Sequence, residues 1–328
     1  MKRRTLGAMV FFILPLAALG QTPINSWAIE YPTKPITMVV PYSPGGGADL
    51  GSKVIAEKVS EFLGQPIVSE YKPGAGGAVG AALVAKAKPD GYTLLVGSTT
   101  PLVVAPLVHE GLGYTLEDFV PICSYSKISL MINARPDGPW KTLKEFVQDA
   151  KANPGKFRYA TYGAKSMAHL MMELFSKQAG IKLVHIPYDG SPKANAAVLG
   201  GHVEVSCTTG TGGLYEAGQL IMLATGDKDR VFPEVPTLME LGYPIDLPAI
   251  YSLCVPKGTP KDIVDKLYEA HVKAFEKYGK ELAEKFRTVE MRPLFLGPQE
   301  ILDKYRKDRE TYSEIAKELG LLVQPPGR

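Results

Sequence analysis

Short apolar runs alternate with helically spaced segments after residue 35, and this alternation constrains the fold more than any other feature. Ile36–Val40 is a continuous apolar run closed by Pro41, which is typical of a strand buried in a parallel sheet. From Ala48 the apolar residues recur at helical spacing until Gly64. The alternation predicts an α/β fold with a parallel sheet. In this part of the chain the predicted strands cover 36–40, 66–70 and 93–97, and the predicted helices cover 48–63 and 79–87.

The N-terminal residues predict an export signal. A basic head at residues 1–4 precedes an apolar run, 9–19, that is too short to span a bilayer. Small residues at 18–20 and at 26–28 both fit a cleavage site, and the second is preferred because we expect the mature domain to begin at Glu30, Tyr31 and Pro32. We therefore predict a signal peptide over residues 1–28 and a periplasmic protein. With no cysteine near either site, a lipid anchor is not expected.

The length predicts two domains, because the roughly 300 remaining residues exceed what one hydrophobic core usually organises. We interpret 120–135 and 249–257 as two crossing strands between two α/β lobes, with a cleft between the lobes. The predicted lobes are 29–127 plus 252–328, which is discontinuous, and 128–251. The further predicted elements are strands over 157–160, 183–186, 203–207 and 251–255, and helices over 142–152, 166–179, 193–199, 261–278 and 299–319.

Charge and cysteine content exclude several classes of protein. Removal of residues 1–28 leaves 34 of the 37 basic residues against 34 acidic ones. A formally neutral chain without basic runs argues against nucleic-acid binding and against binding to a membrane surface. Cys123, Cys207 and Cys254 lie in apolar surroundings with no CxxC spacing, so they are either buried free thiols or include one disulfide, which the exported compartment permits.

Three loops rich in glycine or hydroxyl groups follow predicted strands and precede predicted helices: 43–49, 97–100 and 161–166. Uncapped amides at a helix N-terminus can hold a carboxylate without a charged side chain, and ligands of open α/β sheets bind at these strand ends. The glycines at 45–47 could equally form a plain tight turn, and they lack nucleotide-binding spacing. Asp49 is interpreted as a carboxylate that caps or braces the loop rather than as a ligand contact.

No catalytic or metal-binding motif stands out in the chain. The five histidines are scattered at spacings that suggest no shared metal. His169 is interpreted as an inward packing residue, with donation to a ligand as the alternative, and His185 as a hydrogen-bonded core residue. The sequence therefore indicates a binding protein that is not an enzyme, with no cofactor. An exported α/β enzyme stays open, because a triad is defined by geometry.

Ten short motifs, in order over nearly the whole mature chain, give a specific resemblance. The chain resembles the extracytoplasmic solute-binding receptors of tripartite tricarboxylate transporters. The motifs are YPTKPI at 31–36, VPYSPGG at 40–46, LGQP at 63–66, KPGAGG at 72–77, PDGYTLL at 89–95, ANPGK at 152–156, HIPY at 185–188, GGHV at 200–203, PEVPT at 233–237 and VPKGTP at 255–260.

This resemblance implies a periplasmic-binding-protein fold, also called a Venus flytrap, in a monomer that closes on a small organic acid. It also implies delivery of the acid to the membrane permease subunits of a tripartite transporter. Backbone amides and hydroxyls of opposing loops would bind the carboxylate. From the loops and the resemblance together, the candidate ligand-binding residues are Tyr42, Ser43, Pro44, Gly45, Gly46, Gly47, Asp49, Ser98, Thr99, Thr100, Thr161, Gly163, Lys165, Ser166, Met167, His169, Tyr188, Thr208 and Thr209.

Departures from the family pattern bear on the ligand. KSMAH at 165–169 replaces a common GTSSH, and Thr208 and Thr209 replace a common Asp-Asn pair. Loss of the acidic side chain makes an amine on the ligand less expected, whereas Lys165 would either pair with a second carboxylate or be solvated. Tyr42, Tyr162 and Tyr188 adjoin the loops, so an aromatic acid is also considered, although each ring could be wall or core. A ligand-presenting sensor for a membrane receptor is the alternative function.

Overall fold

The computed structural model describes residues 30–323, so the predicted signal peptide, 1–28, lies outside the described residues. The strands are β1 Ile36–Val40, β2 Ile67–Tyr71, β3 Thr93–Ser98, β4 Phe119–Ile128, β5 Met131–Ala134, β6 Arg158–Thr161, β7 Val184–Pro187, β8 Val205–Thr208, β9 Ile221–Thr225, β10 Ala249–Pro256 and β11 Met291–Pro293. The α-helices are α1 Gly47–Leu63, α2 Ala78–Ala85, α3 Ala105–Val108, α4 Leu143–Ala152, α5 Met167–Ala179, α6 Ser191–Leu199, α7 Gly212–Glu216, α8 Lys261–Arg287 and α9 Pro298–Glu318.

The strands form two sheets, and each sheet is the centre of one α/β lobe. The first sheet has the order β11-β4-β10-β3-β1-β2, and the second has the order β7-β6-β8-β5-β9. β1 pairs in parallel with β2 and β3, and β6 pairs in parallel with β7 and β8. β4, β10 and β11 add antiparallel strands to the first sheet, and β5 adds one inside the second. The predicted α/β fold with two lobes is confirmed.

The chain passes between the sheets at two places. β4 of the first sheet is followed directly by β5 of the second, across Ser129 and Leu130, and the return path runs from β9 to β10. All of β10 pairs with β4 of the first sheet, from Ala249 to Pro256. The first sheet thus collects strands from both ends of the described chain. The lobe boundaries given from the sequence, 127/128 and 251/252, stay predictions.

Local sequence signals explain where the early elements begin and end. Ile36, Met38, Val39 and Val40 of β1 are fully buried, as a strand covered on both faces requires. α1 ends at Gly64, whose φ of 68° lies in the left-handed region and whose amide donates to Ser60 O over 3.0 Å. These short-range rules suffice here because the breaker residues stand directly beside the apolar runs.

Several elements were not predicted from the sequence. They are the π-helical turn Thr100–Val104, α3, α7, β9 and β11. α8 also continues to Arg287, beyond the predicted end at 278, because Leu282 and Phe286 are buried and extend its apolar face. β11 has three residues and pairs only with β4. A strand this short has no periodicity of its own, and its pairing partner determines it.

The cysteines confirm the free-thiol alternative. Cys123, Cys207 and Cys254 are all buried and free. Burial raises the pKa of each thiol, and the raised value is about 12 for Cys254. They therefore pack as small apolar side chains.

Among residues 30–323, no helix is both long and apolar enough to span a bilayer.

A buried carboxylate ties the two lobes together next to the crossing segments. Asp227 follows β9, is fully buried, and accepts a hydrogen bond from Ser129 Oγ over 2.9 Å. Lys127 Nζ of β4 lies 3.1 Å from its Oδ2, and Arg292 of β11 forms a second ion pair with the same oxygen. A buried carboxylate is tolerated only when it is paired in this way. The neighbouring Asp229 meets the same two cations but is half-exposed.

Asp227→Asn should lower the free energy of unfolding by about 2 kcal/mol, because it removes the buried carboxylate of this network and leaves Lys127 and Arg292 with only the more exposed Asp229 to pair with. The partial exposure of Lys127 and Arg292, 20% and 34% for their side chains, keeps the loss below that of a wholly buried pair. Urea denaturation at neutral pH measures this loss. Asp229→Asn is the matched control and should cost clearly less, because solvent screens its exposed ion pairs. Equal losses in the two variants would contradict the assigned role.

Candidate functional site

The loop between β1 and α1 presents free backbone amides at a helix N-terminus. Gly46 is the N-cap of α1 and makes no side-chain capping hydrogen bond. Gly45 has a φ of 84°, a left-handed conformation that glycine adopts without strain. The first amides of α1 therefore have no side-chain acceptor from the cap, and the helix dipole places partial positive charge on them. This is the chemistry that holds an anion without a charged side chain.

Asp49 braces this loop through a hydrogen bond on the side away from the cavity. The buried carboxylate accepts from the Gly45 amide over 2.8 Å and from the Tyr71 hydroxyl over 2.9 Å. Lys53 Nζ lies 3.0 Å from Oδ1. With its oxygens used in this way, Asp49 braces the loop and does not line the cavity described next. These contacts fit the bracing interpretation made from the sequence.

A small cavity lies between the lobes in front of these amides. The space open to the centre of a water-sized sphere measures about 20 Å³, which is enough for one water or one small polar group. First-lobe and second-lobe residues face each other across it. The lining residues are Tyr42, Gly46, Gly47, Ala48, Ser98, Thr100, Tyr162, Ser191, Thr209, Ala249 and Tyr251.

Hydroxyl groups from both lobes surround the cavity. Tyr42 OH donates to Gly76 O over 3.2 Å and lies 3.1 Å from Ser98 Oγ. Thr100 Oγ1 lies 3.3 Å from Tyr162 OH, which joins the first lobe to the second. These short contacts fix the rotamers of the groups that would face a ligand, so the donors are held in place before binding.

In the second lobe, two hydroxyl residues support each other. Ser191 is the first residue of α6, and its Oγ accepts from the Thr209 amide over 3.2 Å. The two hydroxyl oxygens lie 3.5 Å apart. The loop after β8 is therefore anchored to the N-terminus of α6, with both hydroxyls at the cavity wall.

The cavity is electrically neutral in its side chains, because every lining residue is a glycine, alanine, serine, threonine or tyrosine. Burial raises the pKa of Tyr42 and of Tyr162, and raises that of Tyr251 to about 12. All three phenols thus remain protonated at neutral pH and can donate hydrogen bonds. An anion here would meet only amide and hydroxyl donors, in a site that excludes most water.

Six of the predicted site residues line the cavity: Tyr42, Gly46, Gly47, Ser98, Thr100 and Thr209. The others lie outside the lining. Pro44 and Gly45 are exposed, Met167 is fully buried in the core, and Tyr188 packs at the edge of a small apolar cluster of the second lobe. Ser166 caps α5, where its Oγ accepts from the His169 amide over 3.3 Å.

Three further predicted residues use their polar groups in other contacts. Ser43 donates through Oγ to Asp189 O over 3.0 Å, and Thr99 Oγ1 accepts from the Ile250 amide over 3.3 Å. Thr208 Oγ1 donates to Asn195 Oδ1 over 2.8 Å and accepts from Asn133 Nδ2 over 2.9 Å. Its hydroxyl is thereby occupied below the cavity wall.

Lys165 bridges the lobes instead of facing the cavity. Its Nζ donates to Val108 O of the first lobe over 2.8 Å, and the residue is half-buried with a φ of 55°. It is therefore neither a freely solvated surface lysine nor a cation in the cavity lining.

The predicted residues Thr161 and His169 both contact His185. The rings of His169 and His185 lie 4.0 Å apart at 12°, and His185 Nε2 is 2.7 Å from Thr161 Oγ1. His169 Nδ1 accepts from the Lys165 amide over 3.0 Å. Both rings are therefore engaged in packing and hydrogen bonding away from the cavity lining. Burial, with the neighbouring His169, lowers the pKa of His185 to about 3.

Glycines permit the closest approaches between the lobes. A Cβ on Gly47 would lie 2.8 Å from Ile128 Cδ1 and 3.0 Å from Thr209 Oγ1. A Cβ on Gly163 would lie 2.8 Å from Gly76 Cα. Such distances leave no room for a side chain, so these positions must stay glycine for the lobes to meet as they do.

Sequence reasoning missed four lining residues: Ala48, Ser191, Ala249 and Tyr251. Tyr251 stacks on Tyr125 with centroids 6.1 Å apart at 9°. It lies on β10, which the sequence had assigned to a crossing between lobes. The sequence offers a signal that could have identified Ser191: this residue follows a strand and begins a helix, as the loop between β1 and α1 does.

Within residues 30–323, no three His, Cys, Asp or Glu side chains form a group that could hold a metal ion.

Comparisons with known proteins agree with this geometry. The family model described as tripartite tricarboxylate transporter family receptor matches residues 52–321. A Cupriavidus necator protein, "UPF0065 protein in gbd 5'region", is 35% identical over 98% of this chain and 99% of its own length. The periplasmic binding protein BugD superposes with a TM-score of 0.84 at 30% identity, covering 90% of this chain and all of that one. An R. palustris protein solved with adipate has a TM-score of 0.84 at 26% identity, with 89% and 99% coverage.

Folding stability should fall as the pH drops from 6.5 towards about 3, in part because the unfolded chain binds a proton on His185 more tightly than the folded protein does. His185→Asn should flatten this decline, by at most about 1.4 kcal/mol per pH unit. Urea unfolding between pH 7.5 and 4.5 measures both slopes. His202→Asn alters an exposed histidine and should leave the slope unchanged. A parallel decline in wild type and His185→Asn would refute the assignment.

Proposed function

The chain belongs to the tripartite tricarboxylate transporter receptor family, and from this premise we propose that it captures a small carboxylic acid in the periplasm and delivers it to a membrane permease of that transporter type. It is a solute-binding receptor by family. The observation that carries the ligand class is the uncapped N-terminus of α1, which faces neutral donors of the second lobe across the cavity. A carboxylate is the common metabolite group that such amides and hydroxyls bind best.

The absence of acidic side chains in the cavity lining argues against an amine on the ligand. An ammonium group would be desolvated there without a carboxylate to pair with, which is costly. Thr208 stands where an acid is common in the family, and its hydroxyl is hydrogen-bonded to Asn133 and Asn195 outside the cavity lining. We therefore propose an acid that lacks an amine.

Besides the carboxylate bound by the amides of α1, the proposed ligand carries either a second carboxylate or a flat apolar group. A second carboxylate would not meet Lys165, because that ammonium group donates to Val108 O. Tyr42, Tyr162 and Tyr251 supply aromatic surface, and the first two rings pack edge to face with centroids 5.7 Å apart. These rings favour an aromatic monocarboxylate. The adipate in the R. palustris relative supports the dicarboxylate class.

Binding would couple to closure of the lobes. Ser43 contacts Asp189, and Thr100 contacts Tyr162, across the cleft. A cavity of about 20 Å³ is too small for a whole dicarboxylate, so the lobes must separate to admit one. A ligand that then contacts both lobes stabilises the closed form by its differential affinity.

A ligand-presenting sensor is the second candidate, because a membrane receptor could recognise the same closed form. Uptake of the bound acid in a strain lacking this protein separates the two functions: transport requires that uptake falls, and signalling requires that it does not.

Calorimetry with acetate, benzoate, adipate and L-glutamate should give the weakest binding, or none, for L-glutamate, since its ammonium group would be unpaired in the neutral cavity. Benzoate and adipate separate the aromatic and dicarboxylate classes. Tight binding of L-glutamate alone would overturn the proposed ligand class.

Gly46→Glu should abolish binding while the fold survives. A Cβ at Gly46 meets Pro192 Cδ at 3.4 Å, so the substitution is sterically mild, but it brings a competing carboxylate to the amides of α1. Affinity for the best acid of the panel should fall at least about 100-fold, the scale of losing several charge-assisted hydrogen bonds. Gly279→Glu adds the same charge on α8, where a Cβ meets nothing within 4 Å, and should bind normally. Retained affinity in Gly46→Glu would place the site elsewhere.

A further inference from the structure

Glu290 is a buried carboxyl group in an unusual backbone conformation. It lies in the first lobe between α8 and β11, is 1% exposed, and has a φ of 62°. A non-glycine residue with a long side chain is disfavoured in this left-handed region. The first lobe thus holds an acid in the interior at the expense of backbone strain.

The side chain of Glu290 faces the second lobe, against the loop that follows β8. A Cβ placed on Gly212 would lie 3.2 Å from Glu290 Cγ and 3.3 Å from Oε1. On its other side this loop contacts the proposed ligand site, where Thr209 lines the cavity and a Cβ on Gly210 would lie 2.7 Å from the Gly47 amide. The loop is therefore held between the amides of α1 and the Glu290 carboxyl group.

Neither carboxyl oxygen of Glu290 makes a hydrogen bond of normal geometry within residues 30–323, and Thr211 Oγ1 beside it is also unpartnered. The Thr211 hydroxyl and the amides of Gly210 and Thr211 are close enough to act on a charge there, and Tyr251 is the titratable neighbour. No charged side chain among the described residues is close enough to affect the titration of Glu290. Without a cation beside it, the burial of Glu290 disfavours the ionised carboxylate more than these donors favour it.

We propose that Glu290 is a proton-binding site of the closed protein, and that capture of the acid is coupled to uptake of one proton from solvent. The coupling to capture of the acid rests on the proposed function, whereas the proton-binding site does not. When the lobes meet, the loop of Gly210 to Gly212 covers the carboxylate, and a proton added to one of its oxygens gives a neutral carboxylic acid. When the lobes part, water reaches the group and the proton dissociates.

The direction of the pH dependence follows from the raised pKa of Glu290 in the closed form. Burial raises the pKa of Glu290 from 4.5 to about 7 in the closed form. Below pH 4.5 the group is neutral in both forms and has no effect. As the pH rises from 4.5 to about 7, the open form loses its proton first, so closure becomes less favourable by up to about tenfold per pH unit. Above about 7 both forms are ionised and the penalty is constant.

The first experiment needs no ligand. Urea unfolding of wild type and Glu290→Gln between pH 5.5 and 8.5 should show wild type losing stability relative to the variant as the pH rises, because the amide is neutral throughout. Glu310→Gln, which removes an exposed acid from α9, should run parallel to wild type. If Glu290→Gln also runs parallel to wild type, the proton site is refuted. A stability difference that depends on sodium or potassium instead of pH would assign the site to a cation and also overturn the proposal.

The second experiment measures the coupling. Calorimetry with benzoate or adipate, whichever binds more tightly, in buffers of different ionisation enthalpy should give uptake of close to one proton at pH 6 and close to none at pH 9. Glu290→Gln should lose this uptake, and its affinity should not fall with rising pH as that of wild type does. Binding with equal proton uptake in wild type and variant would overturn the coupling. If no acid binds but the unfolding difference persists, the proposed function fails and the proton site stands.

Discussion

The amides at the start of α1 are held in position for an anion because one buried carboxylate fixes the conformation of their loop. Asp49 accepts from the Gly45 amide and from the Tyr71 hydroxyl, so the turn is fixed from inside the first lobe. A loop anchored only at its ends would lose the alignment of its amides, and with it the entropic advantage of donors held in place. The Asp49 carboxylate, which would repel an anion, does not line the cavity and is paired with Lys53.

The charged groups that join the lobes lie outside the cavity lining. The lining consists of neutral hydroxyls, amides and phenols, whereas the ion pairs of Asp227 lie beside the crossing segments. Keeping the charged side chains out of the lining affects how an anion is bound. Neutral donors bind an anion without a cation to compete for it, and the charged cluster keeps the two lobes in register without affecting the ligand.

Part of the contact between the two lobes is made by backbone and glycine. Gly47 lies against Thr209, and Gly163 lies against Gly76. Side chains also meet across the cleft, where Tyr42 packs edge to face against Tyr162. A ligand that contacts both sides, or a proton on a buried acid, can then shift the balance between open and closed forms.

The sequence by itself determined much of the first lobe. β1 was predicted with its observed bounds, and Asp49 was given its bracing role, because breaker residues and helix-start rules act over a few neighbouring positions. The resemblance added the family, which the comparisons bear out. Six of the nineteen predicted site residues line the cavity, since a loop motif identifies a segment but not which of its side chains point inwards.

Only the tertiary structure decided the rest. Thr208 was expected at the ligand, but Asn133 and Asn195 occupy its hydroxyl, and Tyr251 reaches the cavity from a strand far away in sequence. Both outcomes depend on which strands become neighbours and on how two lobes dock. Those are long-range packing choices, and a local pattern of residues carries no information about its partners.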